Sequence, residues 1–215
     1  MALTFYYGSG SPYAWRVWLS LEFKGVHYEQ KMMSFSAGDL RTPEYMAINP
    51  RRKVPAIVDD GFALYESQAI VEYLDERFPD APRLFPGDVR RRALIRRMVQ
   101  EGDQYFGAAM DPLLEQVLFS PKEKWDETVI AAARTRFGKE VARWENIFLG
   151  EWLSGDGPTA ADFVLYPHIA LALRMEKKKP DVDIRGLIGP KFAAWMQRFE
   201  ALPYLEKTIP PHWKA

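Results

Sequence analysis

The period of apolar positions changes along this chain, and the changes divide it. Leu3 to Tyr6 is a short apolar run suited to a buried strand. Pro12 to Lys24 reads as a helix with Val17, Leu19 and Leu21 among its apolar positions, and Gly25 supplies a C-terminal stop. Val26 to Met32 reads as a second strand. Strand, helix and strand within about 30 residues imply a right-handed parallel crossover, because parallel partners cannot be joined by a tight turn. After a polar loop from Ser34 to Arg41, Thr42-Pro43 starts a short helix that Asn49-Pro50 ends. Val54 to Val58 and Phe62 to Tyr65 then form a hairpin about Asp60-Gly61. Glu66-Ser67 opens a further helix, with Ile70, Val71, Leu74 and Phe78 on one face, which stops at Pro79.

The stretch "PDAPRLFPGD", Pro79 to Asp88, carries three prolines and no periodicity, and reads as a linker. Beyond it every pattern is helical: Val89 to Leu118, Pro121 to Leu149, Thr159 to Met175 and Pro190 to Leu202. In "GDGPTAADFVLYP", Thr159 with Asp162 three residues later reads as a capping box.

Composition narrows the chemistry. Lys plus Arg and Asp plus Glu are equal at 29 each, so no long-range field steers the chain to nucleic acid or to an anionic membrane. The cluster Arg90, Arg91, Arg92, Arg96 and Arg97 spreads around more than one helix face and reads as a solvated or dimer-contacting surface. With no cysteine there is no disulfide, no thiolate metal site and no protein thiol for redox work; no metal is expected, and any sulfur chemistry must use a substrate's sulfur. The N-terminus "MALTFYYG" lacks a basic, apolar leader and Phe163 to Leu173 is too short to span a bilayer, so the expected setting is cytoplasmic. The histidines, His27, His168 and His212, are expected to be structural.

"GSGSPYAWR" raises the main functional question. Ser11 before Pro12 is a helix start, yet a helix N-terminus reached from a strand through a glycine-rich turn also stabilises an anion or a thiolate. Together with "KVPAIV", "ESQAIVEYLDERFP", the proline-rich linker, the all-helical second half and "TAADFVLYP", this stretch resembles the cytosolic glutathione transferases over almost the whole chain. The Ser-Pro-aromatic order is similar to the tau class and Trp15-Arg16-Val17 to the zeta class, although the zeta pattern has Ser-Ser-Cys where this chain has Ser11-Pro12-Tyr13.

The resemblance implies an α/β thioredoxin-like domain over residues 1–78, with a mixed four-stranded sheet in the order βαβ, short helix, ββα. It also implies a linker over 79–88 and an all-helical domain over 89–215 that contributes an electrophile site. It makes Ser11 the hydroxyl facing the glutathione sulfur, with Ser9 and Tyr6 as rivals. It gives the tripeptide Lys53, Val54, a cis Pro55, Glu66 and Ser67, and the apolar second substrate Tyr13, Tyr105 and Met110. Glutathione is then a co-substrate, the protein a homodimer, and Asp103 a candidate to act across it. The residue types match the ligand's chemistry. A γ-glutamyl end needs N–H donors and a hydroxyl for its carboxylate and a carboxylate for its amine, which Glu66-Ser67 at a helix start offers. The activity implied is conjugation of the glutathione thiolate to an apolar electrophile. A glutathione-dependent cis-trans isomerase or dehalogenase, and a non-catalytic binding protein, are the alternatives.

Overall fold

The computed structural model describes residues 2–214. They form two compact units, one running to Pro86 and taking in the chain again from Leu202 onward, the other spanning Gly87–Ala201.

The first unit holds a four-stranded sheet in the order β2-β1-β3-β4. β1 (Leu3–Tyr7) is parallel to β2 (Glu29–Met32) and antiparallel to β3 (Ala56–Asp59), which pairs in turn with β4 (Phe62–Tyr65). The parallel pair brackets α1 (Pro12–Lys24), as the strand-helix-strand pattern predicts. β2 is shorter than expected, beginning at Glu29 rather than Val26, and all four of its residues are exposed. β3 begins at Ala56, two residues after the expected start, because Pro55 has no N–H to give a ladder. The hairpin turn has φ of 47° at Asp60 and 90° at Gly61, the pair of positive values that a two-residue turn matched to strand twist requires.

α1 buries Trp15, Val17, Trp18, Leu19 and Leu21 and packs against α3 (Ser67–Arg77). α2 (Pro43–Ile48) is capped by Thr42, whose hydroxyl accepts from the Tyr45 N–H at 3.3 Å. The expected linker over 79–88 is not free. Leu84 and Phe85 are buried, and Asp75 on α3 accepts from the Leu84 N–H at 2.6 Å and from Arg83 at 2.9 Å. Lys24 completes this knot, with Nζ 3.4 Å from Asp75 and 3.0 Å from the Pro82 carbonyl. Burial alone would push the Asp75 carboxyl up, but Arg83, the Leu84 N–H and Lys24 hold it below the ordinary range.

The expected helical domain over 89–215 also ends early. The segment after Ala201 returns to the first unit, where α9 (Leu205–Thr208) packs on α1.

The second unit is helical: α4 (Val89–Glu101), α5 (Ala108–Leu114), α6 (Glu127–Glu145), α7 (Ala160–Lys178) and α8 (Pro190–Glu200). The expected continuous helix from Val89 to Leu118 is interrupted by π-helical turns at Gly102–Gly107 and Glu115–Phe119. Packing explains the first. A Cβ on Gly102 would stand 2.6 Å from Val164 and one on Gly107 3.1 Å from His168, so α7 comes closest where α4 gives way to α5. Pro112, inside α5, withdraws one backbone donor shortly before the second turn. The core is aromatic, with Phe106 against Phe137 at 4.8 Å, Phe192 against Trp195 at 5.0 Å and Tyr166 stacked on Phe199 at 3.9 Å.

At the start of α7 the capping box is present, and its carboxylate does more than cap. Asp162 accepts from the Thr159 N–H at 2.8 Å, from the Leu153 N–H at 3.1 Å and from the Trp195 indole at 2.9 Å, fully buried. Burial pushes its pKa up to about 6 despite the donors that favour its charge.

Candidate functional site

Two neighbouring features of the first unit gather the expected residues. One is the turn from β1 to α1. Gly10 has φ of 88°, open to glycine at no cost, and the Ser11 N–H closes the turn on the Gly8 carbonyl at 3.2 Å. Ser11 is the N-cap of α1 in extended backbone, its Oγ accepting from the Ala14 N–H at 3.3 Å. That bond occupies oxygen lone-pair density and leaves the hydroxyl proton to be donated elsewhere. Ser11 is half-buried and lines a small hollow with Tyr7, Ser9 and Trp18. Of the rival hydroxyls, Tyr6 lies on the other face of β1, its ring against Tyr45 at 5.7 Å and under the Lys31 ammonium at 5.5 Å. Tyr7 shares the hollow, and burial raises its pKa, so at neutral pH it is a neutral phenol.

The second feature is an open hollow of about 290 Å³ lined by Tyr13, Asn49, Lys53, Val54, Pro55, Glu66 and Ser67. All five residues expected to hold a tripeptide meet there, from segments more than ten positions apart. The Val54–Pro55 peptide is cis. Local bonds place the first segment: the Lys53 carbonyl accepts from the Tyr45 hydroxyl at 2.6 Å and from the Asn49 amide at 2.8 Å. Asn49 Oδ1 accepts in turn from the Arg51 N–H at 3.0 Å. The Lys53 backbone is thereby fixed while its side chain stays exposed. Burial pushes the Tyr45 phenol up to about 12, so it remains a donor.

Glu66 precedes α3 with φ of 72° and ψ of 110°, a conformation costly to any side-chain-bearing residue. Strain of about 1 to 3 kcal/mol persists only where the surroundings impose it. Here it puts an exposed carboxylate beside the first turn of α3, whose leading N–H groups have no partner within the helix and favour an anion. The hollow thus offers an acceptor for a cation and donors for an anion side by side. Ser67 itself is buried, 7% exposed.

Over residues 10–77 the chain matches the family model described as glutathione S-transferase, N-terminal domain, and over 127–198 that described as glutathione S-transferase, C-terminal domain. It is 34% identical over 181 residues to the maleylacetoacetate isomerase of Pseudomonas aeruginosa, covering 81% of this chain and 82% of that protein. The chain belongs to the glutathione S-transferase family. As the family's fold requires, its first unit is thioredoxin-like and its second helical.

Two solved structures agree with this glutathione S-transferase over nearly their whole length. One, from the Antarctic clam Laternula elliptica, is 29% identical with a TM-score of 0.82, covering 100% of this chain and 94% of the other. The other is a theta class enzyme from Xanthomonas axonopodis pv. citri with glutathione bound, 27% identical with a TM-score of 0.82, covering 96% of each chain.

The residues expected to meet a second substrate fare unequally. Tyr13 is 39% exposed on the hollow, with the Arg16 guanidinium 5.0 Å from its ring centroid. Tyr105 is exposed on the first π-helical turn of the second unit. Met110 is a correction: at 1% exposure it belongs to the core of the second unit, where its helical spacing puts it, and it offers no surface to a ligand. Asp103 stands 3.5 Å from the buried His168 through Oδ1. Among the described residues no helix is long and apolar enough to cross a membrane.

Sequence reasoning missed Asn49, read only as a helix stop, and Tyr45, read only as part of a short helix. Their signal is positional: both precede a fixed Lys-Val-Pro segment by a few residues and carry a side-chain donor.

Proposed function

We propose that this glutathione S-transferase binds glutathione in the hollow between Lys53-Val54-Pro55 and Glu66-Ser67 and activates its thiol with the Ser11 hydroxyl. The observation that carries the reading is the convergence of both segments on one hollow. The γ-glutamyl carboxylate fits the first turn of α3 and the Ser67 hydroxyl, its amine the Glu66 carboxylate, and the cysteinyl backbone the Val54 segment. Tyr13 lies on the rim of the hollow and only two residues beyond Ser11, at most about 7 Å of chain, so a thiol emerging there faces the mouth of α1.

The chemistry follows from pKa. A free thiol ionises near 8.5, and lowering that by about 2 units takes roughly 2.7 kcal/mol of preference for the anion. A hydroxyl donating to a charged acceptor supplies about 1.5 to 3 kcal/mol, and a helix N-terminus about 0.3 to 1. The bound thiol then loses its proton to solvent. The thiolate forms a C–S bond to an apolar electrophile, and the leaving group departs with the electron pair. A second reading is supported by the identity to the Pseudomonas aeruginosa isomerase: reversible addition of the same thiolate to a conjugated double bond, rotation and elimination. The same reading extends to a cytoplasmic homodimer, which sedimentation at micromolar concentration checks through a doubled mass.

Titration calorimetry with glutathione tests the site. Glu66→Ala combined with Ser67→Ala, folded by circular dichroism, is expected to weaken binding at least 30-fold, the loss of charge-assisted hydrogen bonds worth about 2 kcal/mol or more. Unchanged affinity overturns the assignment. Parallel assays with a halo-aromatic substrate and with maleylacetone decide between conjugation and isomerisation.

A further inference from the structure

The turn that carries Ser11 is held from outside by the 202–214 segment. The Trp15 indole on the first turn of α1 donates to Thr208 Oγ1 at 2.9 Å, and the Trp213 ring meets Trp15 edge-on at 5.2 Å. His212 reaches the turn itself. Its Nδ1 is 2.6 Å from Ser9 Oγ, and its ring lies so close to Gly10 that a Cβ there would stand 2.9 Å from Cε1. The two glycines flanking Ser9 serve a common end, since a Cβ on Gly8 would collide with the Phe35 ring.

Hydrogen-bond chemistry sets the direction of the His212–Ser9 contact. An indole N–H only donates, and Trp213 Nε1 lies 3.0 Å from His212 Nε2, so Nε2 is the acceptor and the neutral ring carries its proton on Nδ1. Nδ1–H therefore donates to Ser9 Oγ. This tautomer cannot take a proton from Ser9, so the pair is a tether and no activated nucleophile.

We propose that His212 is a positioning residue for thiol activation: tethered to Ser9 and held in one tautomer by Trp213, it fixes the Gly8–Ser11 turn and with it the direction of the Ser11 hydroxyl. The inference rests on the reading of Ser11 as the thiol's donor. Its physical logic is that a donor raises the population of an anion only if held near 3 Å from it, and a glycine-rich turn does not hold itself.

The test has two arms. Peptide-resolved hydrogen exchange of the ligand-free protein reads the tether alone: His212→Ala is expected to speed exchange of the Ser9–Ser11 amides about 5-fold or more, and His212→Asn, which keeps a donor near the Nδ1 position, to restore much of the protection. The second arm reads the consequence, through the pKa of bound glutathione and the pH profile of kcat/KM. His212→Ala is expected to raise that pKa and lower kcat/KM at pH 6.5 about 3- to 10-fold, with the glutathione Kd within about twofold of wild type. Ser9→Ala should match it, and the double variant should be no worse than either single one. Unchanged exchange, an unchanged thiol pKa, or additive single effects overturns the proposal. Ser11→Ala measured alongside keeps the two ideas apart. If it moves the thiol pKa and His212→Ala does not, only the tether fails; if it leaves the thiol untouched, the reading of Ser11 fails and the positioning role falls with it.

Discussion

Replacing Ser11 with alanine separates a helix cap from a thiol donor. Its Oγ accepts from the Ala14 N–H at 3.3 Å, so Ser11→Ala removes a long capping bond costing about 1 kcal/mol of stability. In a chain of this size that lowers Tm by roughly 2 to 4 °C. If the hydroxyl also donates to the glutathione sulfur, a charge-assisted bond worth about 1.5 to 3 kcal/mol disappears, and the bound thiol's pKa rises by about 1 to 2 units. The remaining depression stays with the N-terminus of α1, which the substitution leaves in place. Ultraviolet absorbance of the thiolate, titrated with saturating glutathione, reads the pKa directly. kcat/KM for a halo-aromatic substrate should fall about 10- to 1,000-fold. Ser11→Thr keeps both cap and donor and should recover most of each quantity. The donor role is refuted if Ser11→Ala lowers Tm and leaves the thiol pKa where it was. It is equally refuted if Tyr7→Phe, which removes the phenol hydroxyl that shares that hollow, abolishes thiolate formation by itself.

Two further expectations test the scaffold behind the site. Asn49→Ala removes one of the two donors to the Lys53 carbonyl and should raise KM for glutathione about 3- to 10-fold with kcat little changed, as loss of uniform binding does; a fall in kcat alone would contradict this. Asp162 is protonated more readily in the fold than its ordinary value of 3.8, so its contribution to stability is present below pH 3.8 and is lost as pH rises through about 6. Urea unfolding of the wild type relative to Asp162→Asn should therefore show a difference that shrinks by about 2 kcal/mol between pH 4 and pH 7, and a difference that grows with pH would reverse the assignment.

What the sequence made legible was local. The β1-α1-β2 unit, the Asp60-Gly61 turn, the Ser11 and Thr42 caps and the Thr159–Asp162 box each depend on residues within a few positions, and each is present. What it concealed depends on partners far away. The first π-helical turn arises where α7 meets Gly102 and Gly107, and Arg83-Leu84 is drawn in by Asp75, so neither proline content nor helical period could place them. Met110 shows the ambiguity of an apolar residue at helical spacing, which fits a ligand wall and a core equally until burial is known. Lys53, Val54, Pro55, Glu66 and Ser67 were legible as a set, but the Asn49 and Tyr45 bonds that fix the first of them were not.

The return of the chain after Ala201 to the first unit makes the second unit an insertion within the first. A protein emerging from the ribosome presents its N-terminal residues first, and domains fold as they emerge. Here every residue of the Gly87–Ala201 unit is synthesised before the segment that meets the Gly8–Ser11 turn. The second unit can therefore finish folding on the ribosome while the first, begun earlier, waits for Thr208, His212 and Trp213. A nascent chain stalled with Ala201 just outside the exit tunnel should protect the second unit from protease and leave the β1–α1 turn open to it. A turn made before the second unit is secured only after it.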